Sequence, residues 1–252
     1  MTLENIPLTI IILTHRADER FRQSLASAQP AAEILIGDYQ SENNWQKLKK
    51  DFKFKKIGRS VPINNFAAER NHFLKQAKHD WVLFLDSDEV ITENSWPTIS
   101  KIVKQNKIKG VFVRRQDVFY GKKLKFGETG NNWLLRLMRK DQAKFIRPVH
   151  EVVETTGLTK KSAIVLEHFA HQNVNEFFRD ISRYAMIQAE YQQDHQLPDL
   201  ILALKTVAYP KLKFFHNYFL KLGFLDGWRG LVYATMMSLH SVIVRVFSYE
   251  NR

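Results

Sequence analysis

The chain has 252 residues, 44% of them apolar, with ten Gly and seven Pro; this suffices for a packed core and excludes a fibrous or low-complexity protein. It contains no cysteine, so a disulfide framework, a thiolate nucleophile, an iron–sulfur cluster and a Cys-ligated zinc are excluded. Thirty-eight Lys and Arg stand against 26 Asp and Glu, a net charge of +12 that favours an anionic partner without choosing among nucleic acid, nucleotide, phosphorylated substrate and lipid headgroup.

The apolar stretch Ile6–Leu13 follows Glu4 rather than a basic segment, and no small-residue cleavage site comes after it. No signal peptide is read there, and a cytosolic protein is expected. Leu8–Thr14 has the near-continuous apolar character of a strand buried on both faces. Phe21–Ala28 suits a return helix, Glu33–Asp38 a second strand and Asn44–Phe52 a short exposed helix. Asn65–Ala77 sets Phe66, Ala67, Arg70, Phe73, Leu74 and Ala77 at helical spacing, and Trp81–Leu85 is a strand that stops abruptly at acids. This alternation predicts an α/β fold, a parallel or mostly parallel sheet flanked by helices. Gly110–Arg115, Trp133–Arg139 and Ala163–Phe169 read as later strands that include antiparallel or edge pairs. Lys101–Arg147 carries 14 basic and three acidic residues, either a solvated positive face or a docking surface for phosphates.

Near Asn173 the pattern turns helical, which divides the chain into a first domain, 1–172, and a C-terminal helical region, 173–252. Three helices are expected: Asn175–Gln193, Asp199 to about Leu222, and Gly227–Tyr249, with Asn173 or Asn175 as caps and Pro198 in a first turn. The last contains Gly230–Val244, uncharged throughout. At about 1.5 Å per residue this run falls short of a hydrocarbon core of about 30 Å, so a membrane span is not expected. Lys205, Lys211, Lys213, Lys221 and Arg229 alternate with Phe214, Phe215, Tyr218, Phe219 and Trp228. That mixture suits either an anionic membrane interface or packing on the first domain.

The strand Trp81–Leu85 runs directly into Asp86-Ser87-Asp88-Glu89. Three carboxylates at the end of a buried strand are costly unless a cation sits among them, and carboxyl ends of strands are where open α/β sheets bind ligands. Mg²⁺ is commonly held by one or two carboxylates together with substrate phosphates. The alternative is that these acids cap the helix expected near Ser95 or face water.

The run Phe66-Ala67-Ala68-Glu69-Arg70-Asn71 followed by Trp81–Glu89 resembles the nucleotide-sugar-binding core of family 2 glycosyltransferases, which have the GT-A fold. Leu135–Arg139, Pro148-Val149-His150-Glu151, His168 and Gly223-Phe224-Leu225-Asp226-Gly227 extend the resemblance to the branch that adds sugars to lipopolysaccharide inner core and related glycans. The resemblance implies a metal-dependent enzyme using Mg²⁺ or Mn²⁺, a nucleotide-sugar donor such as a UDP-hexose, and a glycan or glycolipid acceptor. It puts Thr14 and Asp38 in the nucleoside pocket, Arg70 near the nucleotide, Asp86 toward the ribose or sugar, and Asp88 on the metal with His168 completing the site. Glu151 is the implied general base, ahead of Glu128 and Asp141, with His150 orienting it or binding acceptor; Arg136 and Arg139 are expected near the diphosphate. Two segments depart from the family pattern: Thr14-His15-Arg16-Ala17-Asp18 and Asp38-Tyr39-Gln40-Ser41.

A single base opposite the leaving group implies inversion at the anomeric carbon. Trp133 is the tryptophan expected to stack on a sugar. Peripheral attachment to the cytoplasmic face of the inner membrane stays open beside a purely cytoplasmic location. A nucleic-acid-binding module is the competing class, and it conflicts with the carboxylate cluster and the lack of a recognised module, so no nucleic-acid partner is expected. A nucleotidyltransferase on a similar sheet would need a Gly-rich phosphate loop after the first strand, and Thr14–Ser24 has no glycine.

Overall fold

The computed structural model describes residues 5–15, 18–39, 42, 44–59, 65–105, 107–146, 152–191 and 197–250. In chain order the elements are β1 (Ile6–Thr14), α1 (Glu19–Ser27), β2 (Ala31–Asp38), α2 (Trp45–Asp51), β3 (Lys55–Gly58), α3 (Phe66–Gln76), β4 (Trp81–Asp86), β5 (Glu89–Ile91) and α4 (Trp96–Val103). There follow β6 (Gly110–Phe119), β7 (Lys122–Lys123), β8 (Asn132–Arg139), β9 (Ala143–Ile146), β10 (Val152–Thr155), β11 (Thr159–His168), α5 (Val174–Tyr191), α6 (Asp199–Phe215) and α7 (Trp228–Glu250). The main sheet runs β3-β2-β1-β4-β8-β6-β11-β5, with β7 on β6, and β9 pairs β10 separately. The expected α/β class holds: a mixed sheet flanked by helices and followed by C-terminal helices.

Strands β1, β2, β3 and β4 are parallel, and β8 joins β4 antiparallel. The chain winds outward from β1 to β3, then returns to place β4 on the other side of β1, so the order reverses at β1. That reversal opens a crevice at the carboxyl ends of β1 and β4. Alternating residues explain why these strands read as continuous apolar runs. Leu8, Ile10, Ile12, Leu83 and Leu85 enter one core with Phe21 and Leu25 of α1, while Ile11, Val82 and Phe84 enter the other with Phe73 and Leu74 of α3. Helix starts follow local capping chemistry. Asp18, Asn44 and Asn65 each accept the backbone N–H three residues on, at 3.2, 3.0 and 2.9 Å, and Asn173 does the same for Glu176 at 2.9 Å.

The chain divides into two compact units, residues 1–115 with 133–168, and 116–132 with 169–252. In the second, α7 packs on α5 and α6, and the segment 223–227 forms the corner before α7. Asp226 Oδ2 accepts the backbone N–H groups of Lys125 and Phe126, both at 2.9 Å, which fixes the chain between β7 and β8. The corner turns at Gly227, where φ is 68°. One turn later a methyl group at Gly230 would overlap the carbonyl oxygen of Gly223. Neither backbone can yield without displacing the corner, so Gly230→Ala is expected to lose about 1–3 kcal/mol, read as a shifted urea midpoint; an unchanged midpoint would show that the corner moves freely.

Helix α7 is 23 residues long, and an 18-residue window within it has a mean hydropathy of 1.4, long and apolar enough on those counts to cross a bilayer. Its buried positions, however, include Ser238, Ser241, Arg245 and Ser248. Arg245 donates to Ser241 O at 2.8 Å and lies 4.2 Å above the ring of Tyr209 on α6, as expected of a helix packed within a bundle.

Candidate active site

The register of the central strands fixes what gathers at the crevice. Leu13 sits opposite Asp86, and Thr14 opposite Asp38. Two strand spacings, about 10 Å, therefore separate the backbones that carry Asp38 and Asp86. Thr14 and Asp38 are buried. The Thr14 carbonyl accepts Tyr39 N–H at 2.9 Å, the Asp38 carbonyl accepts Arg59 N–H at 2.8 Å, and Lys56 Nζ donates to Asp38 Oδ2 at 3.1 Å.

Helix α3 ties this corner together through three successive residues. Glu69 accepts the Tyr39 hydroxyl at 2.6 Å and two bonds from Arg59, at 3.1 and 2.7 Å. Burial and the Glu69 carboxylate push the Tyr39 phenol well above its ordinary range, so it stays a hydrogen-bond donor. Arg70 Nη2 donates to Asp86 Oδ1 at 3.1 Å with its guanidinium over Phe84 and Phe145, at 5.2 and 5.7 Å. Asn71 pairs with the backbone of Phe145, donating to its carbonyl at 2.8 Å and accepting its N–H at 2.9 Å. The motif Glu-Arg-Asn thus links β2, β4 and β9.

Asp86 is held from both sides. Besides Arg70, Arg136 on β8 donates to Oδ1 at 3.3 Å and makes a short bond to Oδ2. Burial alone would raise the Asp86 carboxyl, but the two guanidiniums outweigh it and hold the group far below the usual carboxylate range. Glu89 lies behind, fully buried; its Oε2 accepts Asp86 N–H at 3.0 Å, and its Oε1 accepts no hydrogen bond, with Arg136 Nη2 3.5 Å away. Burial, reinforced by the neighbouring Asp86 charge, raises Glu89 above the ordinary glutamate range despite Arg136. Neither Glu89 nor the double guanidinium clamp was anticipated, although the acidic run and the basic strand Leu135–Arg139 were each visible.

Asp88 follows in the turn between β4 and β5, and its Oδ1 lies 3.8 Å from His168 Nε2. The two meet because β11 runs antiparallel to β5, with His168 opposite Glu89. Both side chains are mostly buried, at 15% and 13% exposure. One carboxylate oxygen and one imidazole nitrogen at this separation are donors a divalent cation accepts. Among the described residues no group of three or more His, Asp or Glu is placed to hold a metal; an ion between Asp88 and His168 would have to take its remaining ligands from phosphate oxygens and water.

The expected positions of Arg139 and Asp141 need correction. Arg139 does not neighbour this cluster, because antiparallel pairing sets it opposite Trp81, at the start of β4, roughly 17 Å along the strand from Asp86. There it pairs with Asp80 and Asp141, which removes Asp141 from the crevice as well. Glu128 belongs to the second unit, where Asn217 donates to it at 2.9 Å and Lys213 lies 3.5 Å away. Trp133 has Lys161 Nζ 5.0 Å above its ring. His150 and Glu151 lie outside the described residues, in the connection from β9 to β10.

Residues 9–165 match the model of glycosyl transferase family 2, more than half of the chain, and the protein belongs to that family. A TPR repeat-containing protein of Synechococcus elongatus is 29% identical over 96 residues, covering 38% of this chain and 22% of its own length; the chain thus spans under a quarter of that curated relative. Among solved structures, S. aureus TarS 1–349 in complex with UDP is 14% identical with a TM-score of 0.48, over 97% of this chain and 91% of that one. The UDP-GlcNAc complex of the same protein gives 12% identity and a TM-score of 0.47, over 93% and 81%.

Proposed function

We propose that the protein is an inverting glycosyltransferase that moves a sugar from a nucleotide-sugar, a UDP-hexose, to a membrane-associated glycan or glycolipid of the lipopolysaccharide-core type. The observation that carries this reading is an Asp86 clamped by two guanidiniums beside an Asp88 that faces His168, at the switch point of a family 2 chain. In this reading residues 1–172 bind the donor and perform the transfer, and 173–252 form a C-terminal helical region. The enzyme works in the cytoplasm, either free or peripheral on the cytoplasmic face of the inner membrane.

Thr14 and Asp38 line the nucleoside pocket, with Lys56 holding the Asp38 carboxylate. Asp86, whose two oxygens already accept from Arg70 and Arg136, orients a donor hydroxyl rather than binding metal. Asp88 and His168 would hold Mg²⁺ or Mn²⁺, which when bound supplies charge neutralisation on the leaving diphosphate. Arg136, fixed against Asp86, adds a positive charge beside the same phosphates. Glu151 takes the proton from the acceptor hydroxyl, with His150 orienting it. Attack opposite the leaving group turns an α-linked donor into a β-linked product.

The test is differential scanning fluorimetry with a panel of nucleotide-sugars, with and without Mn²⁺. A ligand that binds only the native state stabilises it by about 2.7 kcal/mol at a hundredfold excess over Kd. One nucleotide-sugar should therefore raise the Tm by several degrees only when Mn²⁺ is present. No shift with any donor in either condition, from protein that unfolds cooperatively, would overturn the reading.

A further inference from the structure

Helix α6 is mounted the wrong way round for a water-soluble bundle. The stripe it turns inward is Leu202, Thr206, Pro210, Lys213 and Phe214, continued by Asn217 in the following turn, and of these only Leu202 and Phe214 are large apolar side chains. The opposite arc carries Leu200, Ile201, Leu204, Val207, Leu212 and Phe215, all exposed, with Leu200 at 72%, Leu204 at 61% and Leu212 at 66%. At 100° per residue these six span roughly 140° of the helix surface. Exposed Leu220, Leu222, Phe224, Leu225 and Trp228 continue the apolar surface along the chain to the start of α7. Scattered surface leucines are ordinary, but a broad apolar arc, crossed only by Lys211 and set opposite a stripe of mixed polarity, calls for a second apolar medium.

Charge identifies that medium. Residues 200–225 contain four lysines and no Asp or Glu. Lys205, Lys211 and Lys221 are exposed, while Lys213 is half-buried beside Glu128. Two copies meeting through this face would set four lysines per copy against an exposed Asp199 alone, because Asp226 is buried and accepts from Lys125 and Phe126, whereas anionic lipid headgroups neutralise the whole surface. Long lysine stems keep their ammonium groups in the headgroup layer while neighbouring leucines enter the acyl boundary. We infer that the surface formed by α6 and residues 216–228 is an in-plane docking face for an anionic lipid bilayer. The inference rests on the second unit alone and does not depend on nucleotide-sugar chemistry.

The experiment is co-sedimentation of the full chain with phosphatidylglycerol-containing vesicles and with pure phosphatidylcholine vesicles, at low and high salt. Binding should be about tenfold or more stronger to the anionic vesicles, at about 1 kcal/mol per exposed lysine, and should weaken with salt. The double variant Leu204→Gln/Leu212→Gln should lose about tenfold or more in partitioning while keeping the parent's far-UV circular dichroism and Tm, because both side chains are exposed. Absence of binding by folded parent protein at low salt overturns the inference. So does binding that ignores both lipid charge and the double substitution, or self-association that the substitution abolishes in place of vesicle binding. Donor-dependent stabilisation measured on the same samples reports on the crevice independently, so the two readings fail separately.

Discussion

Asp88→Ala protein is expected to fold, yet to lose the Mn²⁺-dependent rise in Tm with donor and to turn over at least about a thousandfold more slowly, since an electrostatic contact on developing charge is worth several kcal/mol. Asp86 has both oxygens engaged by guanidiniums, so a cation recruited there would have to displace a bidentate arginine contact. Asp88 instead faces His168 at 3.8 Å, which sets one carboxylate oxygen and one imidazole nitrogen near enough to share an ion. His168→Ala should weaken the Mn²⁺ effect less, because the anionic ligand carries more of the attraction than the neutral imidazole. Glycosyl transfer followed by released UDP, with matched Mn²⁺ titrations, separates the two variants. Asp88→Ala protein with parental turnover would end the proposed mechanism.

The sequence made some of this legible and concealed the rest for physical reasons. Strands β1 and β4 stood out because burial on both faces leaves a near-continuous apolar run, Trp81–Leu85 in β4 and Ile10–Leu13 in β1, and the acids after β4 stood out by contrast. The short strands β3, β5, β9 and β10, three or four residues each, leave too brief a pattern to read. Strand β6 extends to Phe119 rather than ending at Arg115, since its last residues alternate burial without a continuous apolar signal. The role of Arg136 rests on the antiparallel pairing of β8 with β4, a long-range register that local periodicity does not encode; the same register sends Arg139 to the opposite end. Basic-aromatic composition was visible in residues 205–228, but which face of α6 turns outward depends on its packing against α7.

Asp86→Ala is expected to be the most destabilising single change in the crevice, by about 3–5 kcal/mol, the range for removing one partner of a buried ion pair. It strands two guanidiniums whose side chains are only 8% and 12% exposed. Glu89 moderates the loss. The Asp86 charge helps keep the Glu89 carboxyl above its ordinary range, so with Asp86 gone Glu89 ionises more readily and answers part of the Arg136 charge. The double variant Asp86→Ala/Glu89→Gln should therefore lose more stability than the two single variants together, by about 1 kcal/mol or more. The pH dependence has a definite sign. Because the folded Asp86 carboxyl is depressed, its contribution is complete above the ordinary aspartate pKa of about 3.9 and disappears only as pH falls through the much lower folded value. Glu89, raised by burial, opposes stability above about pH 4.3 and stops opposing it below. Urea unfolding of the four proteins at pH 7 and pH 4 measures both effects. The gap between parent and Asp86→Ala should persist at pH 4, and the coupling with Glu89 should shrink there as Glu89 takes up its proton. Strict additivity at pH 7, or an Asp86→Ala loss under about 1 kcal/mol, would show that the arginines find other partners and that the clamp does not organise the crevice.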